Sequence, residues 1–358
     1  MSEEKQILSS IHNYTISFEA DLGFITLLLN DDNALFIIDQ HVFEIYADYF
    51  TTLKGVENLF LLNALEEHKT LSYAESIFDK LIALKPTKKT KIISIGGGIT
   101  QDVSGFVAST FYRGLTWIYI PTTLLAQADS CMGSKTSLNY KSYKNILGTF
   151  YPPHKIYIST NFTNTLREED FYSGMGEIAK LHIMGGMAQV DQLINQLPQI
   201  HNRDIPTILN ATKHSLNIKW SYMDGDEFDQ GRRNMLNYGH EFGHAIETAT
   251  HYKIPHGQAI VIGMILANEI ATQKHYLTTT LNEKLNLLLF GILKTNYQQL
   301  TTVENAVIIA AMKQDKKRIG NDLPLIMIKD NFEFFKVTDL TEKEASETLD
   351  HFKKAYCN

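Results

Sequence analysis

The chain has 358 residues, more than one hydrophobic core usually serves, so two domains are expected. Its 44% hydrophobic and 20% charged residues describe a folded globular protein and exclude disorder, collagen and coiled coil. Lysine and arginine total 33 against 40 acidic residues, a formal charge of −7, which argues against a nucleic-acid partner. Two cysteines, Cys131 and Cys357, are too few for a disulfide framework or a Cys-rich zinc site. The N-terminal MSEEKQILSS lacks the layout of a signal peptide, and no apolar run approaches the ~20 residues of a membrane helix. A cytoplasmic protein with no membrane partner is expected.

Through the first 160 residues short β-rich runs alternate with helix-like segments. The runs are Leu35–Asp39, Leu59–Leu62, Lys91–Ile95, Trp117–Ile120 and Ile156–Ser159. Between the second and third lies LSYAESIFDKLIALK, with apolar residues at helical spacing. This alternation predicts a parallel, helix-covered sheet. From about Glu168 the character changes: segments such as Asn282 to Leu293 read as helices, and strand signals nearly vanish. The division expected is an α/β nucleotide-type domain over residues 1–160 and a mostly helical domain over 161–358. With no low-complexity linker, the junction near Thr160 reads as a packed hinge.

The strand KIISI runs into Gly96, Gly97 and Gly98, followed by Asp102 and a helix-like stretch. Glycines there let a backbone approach a phosphate, and the helix N-terminus offers unpaired N–H groups. The spacing is neither G-x-G-x-x-G nor a Walker loop, and a plain tight turn, with Asp102 as a helix cap, fits as well. After the next strand come Thr122, Thr123, Asp129, Lys135, Lys144 and Asn145, a set suited to an anionic ligand or to a solvated loop.

Residues Leu236–Glu247 read LNYGHEFGHAIE, and Pro255-His256-Gly257 follows. His240 and His244 share a helix face, and HEFGH matches the zinc-protease pattern with Glu241 as base. The metzincin extension needs a glycine where Glu247 stands, and a peptidase has no use for the glycine-turn domain. A better set is Glu177, His240 and His256, one carboxylate and two imidazoles around a catalytic zinc with an open position. His244 is then left as an acid or base, and Lys180 faces the same way as Glu177 on a helix.

With these residues in view, the chain resembles 3-dehydroquinate synthase and the wider sugar-phosphate cyclases. The resemblance runs from about Asp39 to Lys317. It is carried in order by GGGITQDVSGFVAS, FYRG, IPTTLLAQADS, GSKTSLN, YKNILGTFYPP, GMGEIAK, DEFDQGRRNMLNYGHEFGHAIE, HGQAIVIGM and DKK. It implies a Rossmann-like NAD domain and a helical metal-binding domain. Asp39, Glu66 and Lys69 would serve the adenosine side of NAD, and Gly97, Gly98 and Asp102 the glycine turn. Thr122, Thr123, Lys135, Lys144 and Thr165 would complete the cofactor wall. Glu177, His240 and His256 fall on the family's ligands for zinc or cobalt, and His244 on its further active-site histidine. Asp129, Lys135, Asn145, Lys180, Lys219, Arg233 and Asn237 fall on the substrate pocket. Arg113 matches an arginine that reaches a neighbouring subunit's site, which implies a homodimer.

The implied reaction closes a phosphorylated keto-sugar acid into a carbocycle. NAD takes a hydride, phosphate is eliminated, hydride returns, and an aldol step closes the ring with no net redox change. Lys219 and Arg233 match positions that hold a substrate carboxylate, and Asn237 is the dehydroquinate-type residue, so the substrate expected is 3-deoxy-arabino-heptulosonate 7-phosphate. Several positions depart from the family pattern. The loop usual as G-G-K-T-G reads Gly133-Ser134-Lys135-Thr136-Ser137, Tyr143 replaces a glycine before Lys144, and Gln101 stands where glycine is common. Those departures leave open a cyclase with another substrate. Uses outside the class are a metal-dependent polyol dehydrogenase of the glycerol dehydrogenase type and a pseudoenzyme. The lysine-rich loop and Arg233 argue against the first, and the intact ligand set against the second.

Overall fold

In the computed structural model, which describes residues 3–141, 143–313 and 323–357, the chain falls into two units, Met1–Leu166 and Arg167–Asn358. The motif residues Asp315, Lys316 and Lys317 lie outside the described residues.

The N-terminal unit is built on a seven-stranded sheet. Its strands are β1 (Glu3–Ile7), β2 (Tyr14–Phe18), β3 (Ala34–Asp39), β4 (Leu59–Leu62), β5 (Lys91–Gly96), β6 (Thr116–Pro121) and β9 (Lys155–Ile158), in the order β1-β2-β9-β6-β5-β3-β4. Every neighbouring pair is parallel except β1 with β2. The five predicted runs become β3, β4, β5, β6 and β9, each within one residue at either end. Strands such as β3 and β5 are apolar along nearly their whole length because both faces of a parallel sheet are covered. On one side Ile25, Phe36, Ile38, Phe50, Ile93, Ile95 and Phe162 form a continuous core.

The helices of this unit are α1 (Phe24–Leu28), α2 (Gln40–Ile45), α3 (Leu71–Ala83) and α4 (Gly98–Thr110). Two further strands, β7 (Lys135–Tyr140) and β8 (Tyr143–Phe150), pair as a separate antiparallel hairpin. Neither this hairpin nor β1–β2 was apparent in the sequence. β1 and β2 have five residues each, and β8 is exposed along its first half, so no apolar alternation announces it.

In the C-terminal unit the helices are α5 (Glu168–Met184), α6 (Met187–His201), α7 (Ile205–Met223), α8 (His240–Ala249), α9 (His256–Gln273), α10 (Thr279–Ile292), α11 (Asn305–Lys313) and α12 (Glu342–Phe352). The near-disappearance of strands needs one correction. The antiparallel pair β10 (Leu323–Ile328) and β11 (Phe334–Leu340) packs through the wholly buried β10 against α8 and α9.

Helices α5 and α9 are the buried centre of this unit. They approach through Gly176 and Gly257: a Cβ on either would run into the backbone of the other helix. Glu177 follows the first glycine and His256 precedes the second, so the close approach is what brings that carboxylate to that imidazole. Gly239, at φ +80°, turns the chain into α8 in a conformation costly for other residues and sets His240 at its first position.

Candidate active site

Chemistry-bearing residues gather separately in each unit. In the N-terminal unit the parallel strands all end at one edge of the sheet, where open α/β sheets hold their ligands. Asp39 is the last residue of β3, Gly97 and Gly98 follow β5, and Thr122 and Thr123 follow β6. Glu66 lies just beyond β4, and Thr165 lies past β9 with its hydroxyl 2.8 Å from that of Tyr46.

A Cβ on Gly97 would stand 3.0 Å from the Thr123 methyl, and Gly98 begins α4, whose first N–H groups have no partner within the helix. This cradle fits a dinucleotide's phosphates. Gln101, the first departure from the pattern, fastens α4 to the next turn: its Nε2 donates to the Ser130 carbonyl at 2.7 Å and its Oε1 accepts from the Ser130 hydroxyl at 2.8 Å.

Asp102 is not a cap. It lies inside α4, where its carboxylate meets the Lys69 ammonium at 2.5 Å and accepts from the Ser137 N–H at 2.9 Å. Burial pushes its carboxyl up, with Lys69 and Ser137 pulling the other way. Lys69 also donates to Asn145 Oδ1 at 2.5 Å. The network continues through Asn139, whose side chain donates to Glu66 Oε1 at 2.9 Å and accepts from the Asn145 N–H at 2.9 Å, while Lys144 stands 3.7 Å from Glu66. Seven residues taken from four separated stretches therefore form one polar cluster, with Ser137 among them.

Other candidates lie around this cluster. Lys135 opens β7 and is exposed, and Asp129 sits in the turn before it. Ser134, at φ +64°, occupies a left-handed conformation that explains why glycine is usual there. Tyr143 is 59% exposed and pairs with Tyr140 at the hairpin's turn end. Arg113 is exposed at φ +65°, with no ion pair among the described residues.

The C-terminal cluster has a buried floor, Glu177 and Lys180, with His240 and His256 partly exposed and His244 exposed. Glu177 Oε1 lies 3.1 Å from His256 Nε2 and 3.6 Å from His240 Nε2, and its Oε2 is held by the Lys180 ammonium at 2.5 Å. Ligand atoms sharing a zinc at about 2.0–2.1 Å stand roughly 3.3 Å apart, so these spacings fit a divalent cation. Lys180 thus orients the carboxylate rather than merely facing with it. The ring of His244, one turn into α8, stands 5.1 Å from that of His240 and 5.7 Å from that of His256, and one nitrogen from each of the three lies within 4.8 Å of the others.

The charges of this site are interdependent: the carboxylates of Glu177 and Glu247 both face His256, and Lys180 faces Glu177. Burial would raise the Glu177 carboxyl, yet Lys180 and His256 hold it well below the usual range. Burial would lower His256, yet Glu247 and Glu177 raise it to about 10. His240 is pushed well below its ordinary value by burial and by the neighbouring Lys180.

Glu247 is a residue the sequence reading used only to reject a peptidase. Its Oε2 lies 3.0 Å from His256 Nδ1, so it orients the ring whose other nitrogen faces Glu177. The available signal was its place three residues after His244 on one helix face. Lys219 is buried in α7, which packs against both α5 and the turn Arg232–Asn237 that carries Arg233 and Asn237. Asp226, also unremarked in sequence, shapes that turn by accepting the N–H groups of Gln230, Gly231 and Arg233 at 2.8, 2.8 and 2.9 Å. The Arg233 guanidinium donates to the Glu227 carbonyl, and the Asn237 amide to the Asn234 carbonyl at 2.8 Å.

Most residues of both clusters lie within the stretch of the chain that is similar to known proteins. The model of the 3-dehydroquinate synthase N-terminal region matches residues 59–173, and that of the C-terminal region residues 174–318. The chain belongs to the 3-dehydroquinate synthase family. A 3-dehydroquinate synthase of Streptococcus equi subsp. equi is 34% identical over 341 residues, covering 91% of this chain and 92% of that protein.

Two solved structures share the fold of the family. A 2-deoxy-scyllo-inosose synthase, complexed with carbaglucose-6-phosphate, NAD+ and Co2+, is 24% identical with a TM-score of 0.82, over 98% of this chain and all of that one (100%). A 2-epi-5-epi-valiolone synthase from Streptomyces hygroscopicus subsp. jinggangensis, with NAD+ and Zn2+ bound, is 22% identical with a TM-score of 0.82, over 97% of this chain and 98% of that one. The Asp39–Lys317 span of the resemblance and the family assignment agree.

Proposed function

We propose that this member of the family is a carbon–oxygen lyase that converts 3-deoxy-arabino-heptulosonate 7-phosphate to 3-dehydroquinate and phosphate. The observation that carries this reading is a set of buried cations in the C-terminal unit: Lys180, Lys219 and Arg233 are 2%, 7% and 4% exposed. A cation is kept from water only where anions repay its desolvation. Glu177 already offsets the charge of Lys180, and a substrate bearing both a phosphate and a carboxylate would add anions beside these cations, as an uncharged polyol would not. The phosphate is assigned to Lys135, Asn145 and Lys180, and the carboxylate to Lys219 and Arg233.

NAD is assigned to Asp39, Glu66, Lys69, Gly97, Gly98, Asp102, Thr122, Thr123, Lys135, Lys144 and Thr165. Zinc or cobalt is assigned to Glu177, His240 and His256. When bound, NAD takes and returns a hydride and the divalent cation polarises the reacting alcohol. The chain's own side chains do the rest. Glu247 holds the His256 ring and Lys180 holds the Glu177 carboxylate, so the ligand set is oriented in advance. His244 moves protons at the reacting carbons with Asp129 and Asn237 beside the substrate, and fixed ammonium groups lower the cost of the departing phosphate charge. The working form is a homodimer in which Arg113, exposed and without an ion pair among the described residues, reaches the neighbouring copy. Its two buried thiols, Cys131 and Cys357, suit the cytoplasm.

The test is phosphate release by the zinc- and NAD-loaded protein from the heptulosonate phosphate, with sedoheptulose 7-phosphate in parallel and products identified by mass. Phosphate from the first alone, with dehydroquinate and no accumulated NADH, is expected. Phosphate from the second alone would favour a cyclase with another substrate, a reading that Ser134 and Ser137 support. Stoichiometric NADH would indicate a dehydrogenase.

A further inference from the structure

The loop departure at Ser137 lies inside the polar cluster of the N-terminal unit, where its side chain touches an assigned phosphate ligand. We propose that Ser137 is a positioning residue that locks the Asn145 carboxamide as a pure hydrogen-bond donor, selecting an acceptor-only group, the substrate's phosphate, at that amide. The inference rests on the assignment of Asn145 to phosphate above.

An ammonium has only protons to give, so the Asn145 atom 2.5 Å from Lys69 Nζ must be its oxygen. Ser137 Oγ donates to the same oxygen at 2.9 Å, which occupies both of its lone pairs. Nδ2 then points away with two N–H groups to offer, and no hydrogen bond to it forms among the described residues. The backbone is fixed as well: Asn145 sits at φ +52°, a conformation asparagine tolerates, with its N–H bonded to Asn139. Ser137 is itself pinned, because its N–H donates to Asp102 at 2.9 Å. With glycine at 137, as the family's loop usually has, Lys69 alone would hold the amide. A rotated amide would then turn its oxygen toward an anion, which repels it.

The experiment uses the full chain loaded with NAD and zinc, with Ser137→Gly, Ser137→Ala and Ser137→Thr variants. Inorganic phosphate is titrated calorimetrically, NAD affinity is measured separately, and KM and kcat are taken on the heptulosonate phosphate. Loss of one oriented hydrogen bond predicts about 5- to 10-fold weaker phosphate binding in the Gly and Ala variants. KM should carry the loss, NAD affinity should stay as in the parent, and Thr should restore phosphate binding. Equal phosphate affinity in parent and Gly variant, no phosphate binding by the parent, or NAD affinity falling in step would each overturn the proposal. A parent that binds phosphate in the Ser137-dependent way but does not turn over the heptulosonate phosphate would instead count against the proposed reaction.

Discussion

The two clusters are made in opposite ways. In the N-terminal unit the ligand-type residues sit at strand ends and on a largely exposed hairpin, and polar side chains hold one another: Lys69 on Asp102 and Asn145, Asn139 on Glu66. In the C-terminal unit the arrangement is made by helix packing, with glycine-to-backbone contacts setting the buried Glu177 against the partly exposed His256. Toward its exposed rim at Lys144 and Asn145 the N-terminal network is tolerant, because each bond is one of several and water can replace it. A buried charge cluster is not, because removing one partner strands the others away from water.

That contrast orders the expected effects. His256→Ala should weaken zinc by a thousandfold or more and abolish activity, read as metal per chain after dialysis; stoichiometric zinc in the variant would remove it from the ligand set. Gly257→Ala forces α5 and α9 apart and should cost about 3 kcal/mol, the upper end for overpacking, seen as a melting temperature lowered by several degrees. A variant as stable as the parent would mean the helix contact can yield.

Acid acts on both units. Burial, with His214 beside it, holds His182 in α5 down at about 4, and burial with the stacked His12 does the same to the half-buried His154. Unfolded histidines take up protons near 6.5, so this stability is fully present above pH 6.5 and is lost as the pH falls toward 4. For His182 the loss amounts to about 3 kcal/mol, and less for His154. Stability of a His182→Gln variant that falls as steeply as the parent's across that range would disprove the assignment.

The smaller effects sharpen the contrast further. Glu247→Gln keeps the shape of the contact to His256 but not the charge, and zinc affinity should fall about 10- to 100-fold while NAD affinity does not change. Lys69→Met should weaken NAD about tenfold or more by nicotinamide-cofactor titration and leave zinc binding as it was, since the buried Lys69 holds both Asp102 and Asn145. If Lys69→Met cost more than His256→Ala in its own ligand, the tolerant and the brittle cluster would have been assigned the wrong way round.

Much of this was legible in the chain. Five sheet strands show as β-branched runs because parallel strands are apolar on both faces, and α3 shows through its 3.6-residue period. Glu177, His240, His244 and His256 stood out because imidazoles and a carboxylate among glycines are costly unless they bind something. The hairpins β7–β8 and β10–β11 were not legible. The first is too exposed to alternate, and β10 is apolar throughout, which short buried helices also are.

What the sequence determined by itself was the inventory: which strands, which ligand types, which family. Local pattern carries that information, because periodicity and motif spacing involve residues close in the chain. Only the tertiary structure decided the pairings. It tied Lys69 to Asp102 rather than leaving that carboxylate to cap a helix, put Glu247 on His256, and gave Ser137 a grip on Asn145. Charged and polar side chains bond over about 3 Å in any direction, so their partners depend on where the backbone has been brought. No spacing along the chain encodes that position.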